Sequence, residues 1–268
     1  MTALSAPRSV WRFLDSGAAD GVTNMAVDAA LLDHARATGE STLRVYAWDR
    51  PTLSLGRHER ARGRFDPARL AAEHVAIVRR PTGGRALLHD REVTYSVTAP
   101  VRGVSLGESY RGINALLLDA LQTLGVAAAK ADRRAPPLRP GHAPCFAEPN
   151  EGELVVGDAK LVGSAQWRDG DALLQHGSIL RANDQHRIDA LVVAPYDSAA
   201  VRVATLEEAL GRAVSYEEVR DALARALHAR CERERVTLPS VIESDSGAFA
   251  TVATHRARFH DASWTWRR

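Results

Sequence analysis

The 268-residue chain is 45% hydrophobic and 25% charged, which is enough apolar residue for a sizeable core in one or two domains. Its formal net charge of +2 argues against nucleic acid as the main partner. No apolar run approaches the roughly 18–20 residues that cross a bilayer, so no membrane partner is expected. The stretch Met1–Arg12 lacks the apolar segment of a signal peptide. With only two cysteines, a cytoplasmic protein with reduced thiols is the expectation.

In chain order, Val10–Leu14 reads as a strand, and Thr23 or Asn24 as the cap of a helix with Met25, Ala29, Leu32 and Ala35 on one face. Leu43–Trp48 and Thr52–Leu55 are strands joined through the turn signal Asp49-Arg50-Pro51. Phe65–Glu73 is a short helix leading into the strand Val75–Val78. After Gly83-Gly84, Val93, Tyr95 and Val97 alternate as one face of a strand. Tyr110, Ile113, Leu117, Leu121 and Leu124 mark a long amphipathic helix. The Pro- and Arg-rich stretch from Arg133 to Pro149 is aperiodic, and long loops of this kind usually serve function or are disordered.

Three strand-like runs follow at Leu154–Val156, Lys160–Ala165 and Ala172–Leu174. The pairs Thr205/Glu208 and Ser215/Glu218 are capping boxes that open helices. Strict βαβ alternation is absent, so the fold class is α+β, with a mixed or largely antiparallel sheet flanked by helices. One domain over residues 1–268 is expected, helical from about 205 to 268.

Of the 35 basic residues only Lys130 and Lys160 are lysines. A coding bias toward arginine is the plain explanation, and under it a remaining lysine is a candidate for a place a guanidinium cannot fill. Lys130, in Ala-Lys-Ala-Asp-Arg-Arg, reads as solvated surface. Lys160 opens Lys160-Leu161-Val162-Gly163-Ser164-Ala165-Gln166. It is either a strand-end ammonium in water or one placed to favour a thiolate and hold an oxyanion, with Gly163, Ser164 and Ala165 admitting a ligand to the backbone.

Cys231 falls at helical spacing with Val219, Leu223 and Leu227, as a small core hydrophobe does. Cys145, in His142-Ala143-Pro144-Cys145-Phe146, lies in the aperiodic loop, where a reactive thiol is more at home. The run Arg79-Arg80-Pro81-Thr82-Gly83-Gly84-Arg85 is either a hairpin turn with solvated arginines or an anion site. His89 and His176, each taken alone, read as structural histidines.

Together these stretches resemble the biotin/lipoate protein ligase and lipoyl transferase superfamily, from the first helix to about Leu191. The Arg79–Arg85 run with His89-Asp90 is similar to its Arg-Arg-x-x-Gly-Gly ligand loop. Lys160–Gln166 is similar to its Lys-x-x-Gly-Ser-Ala strand, and Gln175-His176-Gly177-Ser178 to its His-Gly-Ser strand. Pro144-Cys145-Phe146, shortly before the lysine, resembles the cysteine-dependent octanoyltransferases.

The resemblance implies the biotin/lipoate ligase catalytic-domain fold and an acyltransferase with Cys145 and Lys160 as catalytic residues. It implies substrate contacts from Arg79, Arg80, Thr82, Gly83, Gly84, Arg85, His89, Gly163, Ser164, Ala165, His176, Gly177 and Ser178. The three arginines would attract the acidic carrier or its phosphate-bearing arm. Octanoyl would pass from acyl carrier protein to the lysine of a lipoyl-domain acceptor such as the glycine cleavage H protein. No metal, ATP or other cofactor is expected, since the donor brings its own phosphopantetheine. Arg85, where ligases usually carry a third glycine, departs from the ligase pattern. An amidotransferase between lipoyl domains, an ATP-dependent lipoate or biotin ligase, and an acyl-binding regulatory relative are the alternatives. The segment Pro136–Pro140 and the tail after Leu238 match nothing in the family.

Overall fold

The computed structural model describes residues 10–101, 103–131, 152–194, 203–234 and 247–267. Cys145 and the expected loop around it lie outside the described residues. In chain order the strands and helices are β1 (Trp11–Ala19), α1 (Gly21–Thr38), β2 (Ser41–Trp48), β3 (Thr52–Leu55), α2 (Pro67–Ala72), β4 (Ala76–Arg79), β5 (Leu87–His89) and β6 (Glu92–Pro100). Then come α3 (Leu106–Thr123), β7 (Ala129–Lys130), β8 (Leu154–Val156), β9 (Ala159–Asp169), β10 (Ala172–Leu180) and α4 (Ile188–Leu191). The described chain closes with α5 (Leu206–Leu210), α6 (Tyr216–Glu234), α7 (Val252–His260) and α8 (Ala262–Thr265).

Seven strands form a sheet in the order β1-β2-β6-β10-β9-β8-β7, and three more form a second sheet, β4-β3-β5. Among the described strand pairs only β1/β2 and β3/β4 are parallel, so the sheets are mixed and mostly antiparallel, in agreement with the α+β expectation. Strand alternation divides the large sheet into two chemistries. Leu43, Val45, Val93, Tyr95 and Val97 turn one way and join Ile113, Leu117 and Leu121 of α3 and Leu223 and Leu227 of α6 in the main core. The intervening Arg44, Tyr46, Thr94 and Ser96 are also buried, yet polar. Asp28 of α1 accepts from Arg44, Tyr46 and Ser96, while Thr94 accepts from the Trp48 indole and donates to Glu92.

Helix α1 starts earlier than the sequence suggests. Its cap is Asp20, whose carboxylate accepts from the Thr23 amide at 2.7 Å. Asn24 sits inside the helix, its amide spent on the carbonyls of Ala19 and Ala47. The predicted helix 65–73 is shorter, because Asp66 caps it and Pro67 occupies its first turn. The Ser215/Glu218 capping box closes in both directions, whereas Thr205 caps its helix through the Glu208 amide alone.

The segment after residue 246, unplaced by sequence, packs against α1 and β4. His255 and Thr251 both meet Asp33 of α1, and the Trp264 indole donates to the Arg79 carbonyl at 2.9 Å. Among the described residues no helix is long and apolar enough to cross a membrane.

Candidate active site

Strands β9 and β10 run antiparallel with Gly163 opposite Ser178, Ser164 opposite Gly177 and Ala165 opposite His176. These six residues form one wall of a narrow pocket between the two sheets and α1. Met25, Tyr46, Trp48, Leu87, His89 and Arg80 contribute to the rest of its lining. The surface open to this pocket is almost wholly carbon, which suits an alkyl chain. Gly177 has no alternative here, because a Cβ on it would lie 2.4 Å from the Gly163 carbonyl oxygen and 2.9 Å from Ser164 Oγ.

Beneath the carbon surface lies a continuous polar layer. Asp28 is fully buried and paired with Arg44 at 2.7 Å. Burial pushes its carboxyl pKa up, but Arg44, His176 and Ser96 outweigh that and leave it below the ordinary value. His176 places Nδ1 3.1 Å from Asp28 and Nε2 2.6 Å from Thr82 Oγ1. Burial lowers the pKa of His176 despite the pull of Asp28, so the ring is neutral at pH 7. A neutral ring facing a carboxylate through Nδ1 carries its proton there, and Thr82 then donates to Nε2.

His89 is equally engaged, between Glu92 at 2.6 Å and Ser54 at 2.7 Å, with its ring stacked on Trp48 at 4.0 Å. Burial would raise Glu92, but His89, Ser178 and Thr94 hold it low. Both histidines are therefore built into the pocket wall as buried, hydrogen-bonded groups.

The glycine loop is held from inside. Arg80 donates to the carbonyls of Gly83 and Arg85 and to Ser54, fixing the turn in which Gly84 takes a φ of +89°. Gly84 abuts Gly56 so closely that a Cβ on Gly56 would fall 1.8 Å from its carbonyl oxygen. Arg79 corrects the expectation set for it. Its side chain is fully buried, with the guanidinium on the carbonyls of Gly56, Glu59 and Thr265, so it is a structural clasp and not an attractor for a partner. Arg80 is also buried, and of the three arginines only Arg85 is partly exposed.

Lys160 does not line the pocket. It stands three residues before Gly163 on β9, about 10 Å along an extended strand. Its ammonium is buried and lies 2.8 Å from the equally buried Glu153 carboxylate. Sequence reading missed Glu153. The hairpin that puts Val155 opposite Lys160 brings it there, and Asn114 of α3 anchors the preceding Gly152 carbonyl at 2.8 Å. A second buried chain runs from Ser164 through the Tyr95 hydroxyl at 2.7 Å and Gln175 at 2.8 Å to Asn114 at 3.2 Å. Burial, with a smaller push from the Glu153 charge, raises Tyr95 to about 12, so it stays a neutral hydrogen-bonding group.

The layered sheets and the small-residue pocket, with a buried lysine on the strand that walls it, define a catalytic domain that handles acyl groups. Residues 20–228 match the lipoyl protein ligase A/B catalytic domain, and the chain belongs to that family. It is 42% identical to octanoyltransferase LipM of Kyrpidia tusciae, over 85% of this chain and 90% of that protein. It is 36% identical to octanoyltransferase LipM of Moorella thermoacetica, over 98% and 100% of the two chains. Relatives of this similarity make the protein an acyltransferase. Among solved structures, a lipoate-protein ligase A bound with ATP superposes with a TM-score of 0.74 at 22% identity, covering 97% of this chain and 98% of that one. That likeness confirms the fold.

Proposed function

We propose that the protein moves octanoyl from the thioester of an acyl carrier protein to the lysine of a lipoyl-domain acceptor, such as the glycine cleavage H protein, in lipoate biosynthesis. Residues 1–268 act in this reading as one catalytic domain in the cytoplasm, without ATP or a resident cofactor. The observation that carries it is the pocket walled by Gly163–Ala165 and His176–Ser178, whose open surface is carbon and whose polar groups are already bonded to one another.

The Cys145 thiolate attacks the carrier thioester carbonyl. The bond to the phosphopantetheine sulfur breaks, and that thiol leaves with a proton, giving an octanoyl thioester on Cys145. The acceptor amine then attacks this thioester, loses a proton and releases the Cys145 thiol as the amide forms. In this reading the oxyanion of each tetrahedral intermediate forms at the Lys160 end of β9, beyond the apolar pocket, where the ammonium oriented by Glu153 donates to it. Gly83, Gly84 and Arg85 cover the acyl group, with the partly exposed Arg85 toward the phosphate of the donor's arm.

Intact-mass measurement after mixing with octanoyl-carrier protein and no nucleotide tests this directly. An octanoyl adduct that hydroxylamine removes, mapped to Cys145, is expected. An adduct on Cys231, or strict dependence of transfer on Mg-ATP, overturns it.

A further inference from the structure

With Arg79 and Arg80 turned inward, the carrier needs another cationic surface, and one lies beside the glycine loop. Arg57 follows Gly56, the residue packed on Gly84. Its amide donates to the Thr82 carbonyl at 2.7 Å, and its guanidinium lies 5.0 Å from the ring centre of Trp167, two residues beyond Ala165 on β9. Arg258 of α7 and Arg267 both stack on Trp264, each 3.9 Å from the ring centre. Arg267 also donates to the Arg57 carbonyl, which joins the three arginines into one group.

Clustered like charges repel, and docking of an acidic partner relieves that repulsion. Among the described residues, no carboxylate forms an ion pair with Arg57 or Arg258. Asp169, whose charge reaches Arg258, is itself paired with Arg36. Burial and then the Arg57 charge hold Arg258 below the ordinary arginine pKa, against a smaller opposing pull from Asp169. Stacking on indole fixes the plane of each guanidinium and leaves in-plane N–H donors for carboxylates.

We propose that Arg57, Arg258 and Arg267 form the docking surface for the acidic protein that carries the acyl thioester. This rests on the transfer reading above and deepens it. The surface adjoins the Thr82 end of the loop, whose hydroxyl touches His176 in the pocket wall, so a docked carrier delivers its arm directly to the acyl site.

Binding separates this proposal from the transfer reading, because it needs no turnover. The dissociation constant of holo-acyl carrier protein, without an acyl group, is measured by calorimetry at 50 and 200 mM salt. The Arg57→Gln/Arg258→Gln double variant should bind at least tenfold more weakly than wild type, with a flatter salt dependence. Arg233→Gln, at an exposed arginine of α6 paired with Asp119, should stay within twofold. The KM for octanoyl-carrier protein should rise at least tenfold in the double variant, while that for octanoyl-pantetheine, which has no protein body, should not change. No binding to wild type, unchanged binding in the double variant, or an equal loss with octanoyl-pantetheine would overturn the docking assignment. Wild type that binds carrier but accepts octanoyl from no donor would overturn the transfer reading alone.

Discussion

Glu153 and Lys160 sit together out of water, and each charge offsets part of the cost of burying the other. Removing one partner of such a pair costs about 3–5 kcal/mol, whereas replacing both with apolar groups is often near neutral. Glu153→Leu should therefore destabilise the fold by about that amount in urea unfolding, and adding Lys160→Met should restore most of it. If the double variant were no more stable than Glu153→Leu, the two charges would not be compensating one another.

Catalysis asks a different question of the same lysine. Lys160→Arg keeps the charge but replaces a compact ammonium with a planar fork in a space already occupied by Glu153. Losing one oxyanion donor costs on the order of 100–1,000-fold in rate. A loss of at least 100-fold is expected in Lys160→Arg, with unchanged circular dichroism, against near wild-type activity for Lys130→Arg, an exposed position on β7. Retention of more than about a tenth of the activity would rule out a catalytic role. Lys160 was legible in the sequence because arginine is used nearly everywhere else. Glu153 was not, since a lone glutamate between Gly152 and Leu154 carries no periodic signal. A hairpin reading of Val156-Gly157-Asp158-Ala159 was the available clue, because it folds residues 153–155 back across Lys160.

Strands β9 and β10 carry the glycine that the pocket depends on. Gly177→Ala puts a methyl group into the Gly163 carbonyl, a backbone atom with nowhere to move while the ladder holds. Overpacking of this kind costs about 1–3 kcal/mol. We expect a melting temperature lower by several degrees and a large fall in acyl transfer. A variant with wild-type stability and activity would show that the two strands can separate freely at the site. Strand positions were legible because alternation and the small-residue runs are local. The start of α1 was not, because Asp20 and Thr23 are both good caps and only the burial of Asn24 between the Ala19 and Ala47 carbonyls decides between them. The polar layer of Asp28, Arg44, Tyr46 and Ser96 was missed for a related reason. Arg44, Tyr46 and Ser96 lie 16–68 residues from Asp28 and look in sequence like the solvent face of ordinary amphipathic elements.

Titration tests the whole molecule. Burial holds the folded pKa of His176 below its ordinary 6.5, so the unfolded chain takes up that proton first. Its contribution to stability is complete above about pH 6.5 and is lost as pH falls through the folded value. The Arg12 hydrogen bonds hold Glu40 down at about 2 against an ordinary 4.5. That contribution is present above about pH 4.5 and lost as pH falls toward 2. Stability should thus be greatest near neutrality and decline in two stages on acidification. Arg12→Ala should flatten the lower stage, as followed by urea midpoints at successive pH values. An acid limb unchanged in that variant would remove Glu40 from the account.

The clasp on Arg79 joins residues 186 positions apart, through the Thr265 carbonyl, while the strand pairs around the pocket close far shorter loops. Closing so long a loop costs about 2–3 kcal/mol more chain entropy than closing one of ten residues. Contacts of that span form late in folding, after the local hairpins that bury most of the core. The seating of the C-terminal segment on Arg79 thus comes last. A partly folded chain can have its sheet and its apolar slot before the C-terminal segment has closed over β4, so the last step of folding ties the end of the chain to the strand that leads into the glycine loop.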